Sequence, residues 1–96
     1  MESLKIIATI KSKAEFINEI ESVLKQLVSE SRKEDGNISY LLHRDLKNAD
    51  EFIVIEEWKS SEAIDFHNNT SHFKDFLNAI SGKTEDVQIN VIKQIM

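Results

Sequence analysis

The most constraining stretch of this chain is Phe52–Trp58, where Phe52, Ile53, Val54 and Ile55 run without a break into Glu56, Glu57 and Trp58. In an extended chain successive side chains leave on opposite faces. Phe52 and Val54 therefore point one way, and Ile53 and Ile55 the other. A strand that is apolar on both faces is covered on both sides. The same alternation sends Glu56 and Trp58 out together on one face.

The segment after that strand reads as a helix in two pieces. Ser60 or Ser61 can cap the first piece, with Glu62 in its first turn, where the positive end of the helix dipole favours an anion. Ala63, Ile64 and His67 share one side of it. Thr70 or Ser71 restarts a second piece carrying His72 and Phe73. Phe73, Phe76, Leu77 and Ile80 form its apolar stripe, and Gly82 stops it. The only Trp and two of the three His thus fall within fifteen residues, Trp58 to His72, and a functional site is expected there.

The rest of the chain supplies the other layers. Residues 3–11 alternate as a strand, with Leu4, Ile6, Ala8 and Ile10 on one face and Ile7 on the other. Ser12 with Glu15 three residues on predicts a capping box, and a helix then runs to about residue 33. Phe16, Ile17, Ile20, Val23, Leu24, Leu27 and Val28 recur along it at helical spacing. Asp35-Gly36-Asn37 predicts a turn, with Gly36 able to take positive φ. A second strand is expected over Ile38–Leu46, a polar turn over Lys47–Glu51, and a last strand over Val87–Ile95. The absence of Pro and the presence of only two Gly suit regular elements joined by short turns.

The order β-α-β-β-α-β with right-handed crossovers gives a four-stranded antiparallel sheet with helices on one face, the ferredoxin-like α+β arrangement. The 96 residues form one domain, 1–96. The fold leaves the other sheet face bare, although it carries apolar residues. Exposing them costs about 25 cal/mol per Å², so a homodimer packed through the open sheet face is expected. The net charge of −5, with no Lys/Arg stripe, argues against nucleic acid. No window approaches the roughly 18 apolar residues of a membrane helix, and no leader pattern opens the chain; the expected location is the cytoplasm. With no Cys there is neither a disulfide nor a thiolate metal site.

Glu34-Asp35-Gly36 leading to Ser39-Tyr40, then Ile55-Glu56-x-Trp58-x-Ser60, Ala63, His67 and His72-Phe73, resemble the antibiotic biosynthesis monooxygenase family of dimeric α/β barrels over nearly the whole chain. The resemblance implies a range of activities. They include cofactor-independent monooxygenases acting on polyketide quinols, quinol monooxygenases, haem-degrading enzymes and an isomerase of a phosphorylated autoinducer sugar. The haem-degrading branch uses an Asn–Trp–His set. Its Trp and His positions are held here by His67 and Leu77, and the first strand offers no Asn, so haem degradation is not expected. The segment Phe66-His67-x-x-Thr70-x-His72-Phe73 is similar to both the isomerase and the quinol branch.

Six residues are the candidates. His67 titrates near neutrality and can act as a catalytic base; alternatively it is structural and fixes the helix break. Glu56 can orient an imidazole or serve as a base where burial raises its pKa, or it forms a structural pair. Trp58 can stack on a flat aromatic substrate or pack in the core. His43 lies on the alternation opposite to Tyr40, so at most one of them lines the same surface without a bulge. Tyr40 can line the substrate site or pack under the helices. His72 can touch substrate, cap the second helical piece or face solvent. The i, i+5 spacing of His67 and His72 does not put them on one helical face, the helix is expected to break between them, no Cys is available and Asp65 is poorly placed, so no metal site is expected.

The leading expectation is a monooxygenase for a hydroxylated aromatic or quinol-type molecule that uses O2 without metal, flavin or haem, so that no cofactor is called for. An isomerase of a small phosphorylated carbonyl compound is the second reading. It needs cations in the pocket, for which Arg44 and Lys93 are available. A non-enzymatic dimer that holds a small ligand is the third.

Overall fold

A computed structural model describes residues 2–96. The chain forms β1 (Leu4–Ser12), α1 (Ile17–Ser31), β2 (Asn37–Arg44), β3 (Glu51–Trp58), α2 (Ser61–Asn68), α3 (Ser71–Ile80) and β4 (Thr84–Ile92), with a single 3-10 turn at Ala14–Phe16 ahead of α1. The strands make one antiparallel sheet in the order β2-β3-β1-β4. This is the ferredoxin-like arrangement expected from the element order.

Register explains which residues meet. Tyr40 pairs with Glu56 and Glu56 with Ile6; Leu42 pairs with Val54 and Val54 with Ala8; Arg44 pairs with Phe52 and Phe52 with Ile10. These rows face the helices. Ile6, Ala8, Ile10, Tyr40, Phe52, Val54 and Trp58 are buried there against Ile20, Leu24, Leu27, Val28, Ile64, Phe76 and Ile80. The opposite rows, Leu41–Ile55–Ile7 and His43–Ile53–Thr9, lie on the helix-free face. Leu41 is 47% exposed and Ile55 38%. The helices leave β4 bare as well: Val87, Ile89 and Val91 pair with Ile10, Ala8 and Ile6 but stay exposed.

Several local expectations need correction. Ser12 does not cap a helix. Its N–H donates to the Asp50 carbonyl and its hydroxyl to the Lys13 carbonyl, both at 2.8 Å, because β1 continues through it. The 3-10 turn then starts after Lys13 with no side-chain cap. Gly36 does not adopt positive φ; among the described residues only Gly82 does, at 77°. Gly36 is required for a different reason. A Cβ there would sit 2.4 Å from the Ala63 Cβ, so α2 lies directly on this turn. The turn is further tied to β3 by the Lys59 N–H, which donates to the Gly36 carbonyl at 2.9 Å. The last strand begins and ends about three residues earlier than expected and leaves Ile95 outside it.

Candidate functional site

The helix break builds the site. Ser60 caps α2 by accepting from the Ala63 N–H (3.1 Å), and Thr70 caps α3 by accepting from the Phe73 N–H (3.2 Å). The Thr70 hydroxyl also donates to the His67 carbonyl at 2.7 Å, which closes the end of α2 onto the start of α3. One side chain thus serves both helix ends. As a result His67 and His72 come from different helices and approach one another, with ring centroids 6.0 Å apart. Their spacing in the sequence separates them only on a continuous helix; the break removes that restriction.

Between them stands Glu34, from the turn after α1. Its Oε2 lies 2.7 Å from both His67 Nδ1 and His72 Nε2. A carboxylate oxygen accepts only, so both ring nitrogens donate to it. His67 is 2% exposed, and its Nε2 is buried without a partner, as is Glu34 Oε1. Burial pushes the His67 imidazole below the ordinary histidine range, against the pull of the Glu34 carboxylate, which raises it. The ring is walled by Trp58, Phe73 and Tyr40, at centroid distances of 4.5, 4.9 and 5.8 Å.

Beneath it lies a second polar group. Glu56 is 5% exposed, and its Oε1 accepts from Trp58 Nε1–H at 2.8 Å. Burial pushes its carboxyl up to about 7, while the Trp58 and Tyr40 hydrogen bonds hold it down and the Glu34 charge adds to the rise. Tyr40 is pushed above its ordinary range, first by burial and then by the Glu56 charge.

A cavity of about 530 Å³ opens beside this cluster, lined by Glu34, Gly36, Ala63, Phe66 and His72, with Glu30, Lys33 and Asp35 at its acidic rim. A larger groove of about 760 Å³ runs between α1 and α3 and also reaches His72. Of the six candidates, His72 is therefore on a cavity wall. His67, Tyr40, Glu56 and Trp58 form a connected buried layer behind it. Trp58 is fully buried and offers no ring to either cavity. His43 is on the helix-free face, where its Nδ1 lies 3.2 Å from the Ile53 carbonyl, away from the other five.

Glu34 and Phe66 figure in the sequence reasoning only within segments that carry the family resemblance, and neither is named there as a site residue. Glu34 lies 33 residues before His67, and only the docking of α2 on the turn joins them. Phe66 is 67% exposed on the cavity wall. The signal for it is its place next to His67, one residue off the apolar stripe of α2, where an aromatic ring has no core to fill.

Comparison with known proteins gives the family and the fold. Residues 3–79 match the model of the family described as antibiotic biosynthesis monooxygenase. The chain is 40% identical over 70 residues to the Bacillus subtilis protein named "Putative monooxygenase YcnE", a match covering 73% of this chain and 74% of that one. It superposes on the crystal structure of PA3566 from Pseudomonas aeruginosa with a TM-score of 0.95 at 31% identity, covering 100% of this chain and 97% of that one. It superposes on a crystal structure described as an antibiotic biosynthesis monooxygenase with a TM-score of 0.91 at 30% identity, covering 97% and 99% of the two chains. With the match running from β1 through α3, the chain belongs to the antibiotic biosynthesis monooxygenase family.

Proposed function

We propose that the protein is a monooxygenase that oxidises a hydroxylated aromatic of the quinol type with O2, using no metal, flavin or haem in the reaction. The observation that carries this reading is the pair of imidazoles sharing one carboxylate oxygen at the wall of a cavity. With Nε2–H donated to Glu34, the other His72 nitrogen, Nδ1, is the one that can take a proton from a phenol. Glu34 stabilises the imidazolium that forms, and His67, donating from behind, holds that carboxylate in place. His67 is thus a positioning residue and His72 the base.

The chemistry then belongs to the substrate. The phenolate passes one electron to O2, and the radical pair combines to form a C–O bond at the conjugated C–H carbon. The proton returns from His72 to give a hydroperoxide. Loss of water across that carbon leaves a carbonyl, so one oxygen atom stays in the product and the other leaves as water. Phe66 and Ala63 supply apolar wall for a flat ring.

The charge around the cavity supports this reading over the isomerase. Glu30, Glu34 and Asp35 outnumber Lys33, and Lys33 is itself paired with Glu30 at 2.7 Å. Arg44 is engaged by Glu21, and Lys93 by Glu2 at 2.7 Å. A phosphorylated substrate would meet a net negative rim.

A homodimer through the helix-free face is part of the proposal, since Leu41, Ile55 and Ile92 are exposed there and a second copy covers them.

The test is oxygen uptake with a panel of reduced quinols and anthrone-like phenols, corrected for autoxidation. Uptake above background that falls by about 100-fold or more in His72→Ala is the expected result. No uptake across the panel overturns the oxygenase reading.

A further inference from the structure

The Glu34–His67–His72 cluster, which the proposed reaction uses as a base and its supports, is also a set of metal-ligating side chains. We propose that these three side chains bind one divalent first-row transition metal ion, of the zinc or cobalt type, at the edge of the cavity. Their ligand atoms all lie within 4.8 Å of one another. A tetrahedral ion with bonds of about 2.1 Å spaces its ligands about 3.4 Å apart. To reach that spacing Glu34 Oε2 has to retreat by about 0.7 Å from the 2.7 Å it keeps to each ring nitrogen, and the two ring nitrogens, which lie within 4.8 Å of one another, have to sit about 3.4 Å apart.

Several features of the site fit an ion. The donors come from three separate elements, the turn after α1, α2 and α3, whose ends are fixed by Thr70 and by the contact of α2 with Gly36. Glu34 Oε1 is buried with no partner and is free to complete a bidentate carboxylate. Two imidazoles and one carboxylate suit borderline ions such as Zn2+, Co2+ and Ni2+ better than Mg2+ or Ca2+, which take oxygen ligands. Glu34 and His72 both line the cavity, so an ion has an entry path and an open coordination position for water.

Binding has a chemical consequence for the ring on the cavity wall. A metal on His72 Nε2 moves the ring proton to Nδ1, the atom assigned as the base. The bound ion is then an inhibitor of the oxygenase and not its cofactor. That consequence rests on the proposed function; the binding itself does not.

The test uses chelator-treated full-length protein, titrated with Co2+ by visible absorption and with Zn2+ by calorimetry. One ion per chain at micromolar or tighter affinity is expected. His72→Gln and Glu34→Gln should each weaken binding by about 100-fold or more, whereas His43→Gln should bind like the wild type. His72 is the more exposed member, with a side chain 22% exposed, so His72→Gln decides the point if Glu34→Gln does not fold. Absence of stoichiometric binding, or equal binding by His72→Gln, overturns the site. Turnover by metal-loaded protein separates the two proposals: an active loaded form removes His72 as the base and leaves the metal site standing.

Discussion

Glu56 is a carboxyl group buried where its charged form is penalised, and its consequence is a stability that depends on pH. Its pKa rises from an ordinary 4.5 to about 7 on folding, so the folded state holds the proton that the unfolded state releases. The contribution is full below about pH 4.5 and is lost as pH rises through 7. Wild type should therefore lose about 3 kcal/mol between pH 4.5 and pH 8 relative to Glu56→Gln, read by denaturant unfolding of both proteins at each pH. Gly36 gives a second residue-scale expectation. Gly36→Ala drives a methyl group into Ala63 and should cost about 1–3 kcal/mol. Adding Ala63→Gly should recover much of that loss, and a double-mutant cycle of unfolding midpoints checks it.

At the scale of elements, the site depends on the interruption between α2 and α3. Thr70→Val keeps the side-chain volume but removes both the cap of α3 and the bond to the His67 carbonyl. It should cost about 1 kcal/mol of stability. It should also change the histidine ring resonances of His67 and His72 while leaving those of His43 alone, which an NMR titration reads. The break itself is legible in the sequence, since Thr70 and Ser71 interrupt the apolar periodicity where the helix restarts. The alternation of β3 likewise tells which residues face the helices. The convergence of the two histidines is not legible, because the pattern that marks the break gives no angle between the two pieces. Glu34 is hidden for a related reason: local pattern carries no signal of a contact made across 33 residues. The cap expected at Ser12 fails because strand pairing with β4 and the Asp50 carbonyl competes for the same residue.

At the scale of the whole molecule, the two faces of the sheet have different fates. One is covered by α1, α2 and α3 over β1, β2 and β3 but not over β4; the other presents Leu41, Ile55 and Ile92. Leu41→Asp, on that face and far from the cavity, should shift the proposed dimer to monomer without unfolding the domain, as measured by light scattering across a concentration series.

β4 occupies the edge of the sheet opposite to β2, pairs only with β1 and carries no helix on its inner row. Its opening therefore uncovers little buried apolar surface. In a dilute monomeric variant its amide protons should exchange with solvent well before those of β3, and should do so at a rate indifferent to any ligand held near His72. The molecule then has two clocks: a fast one at its last strand and a slow one around the site.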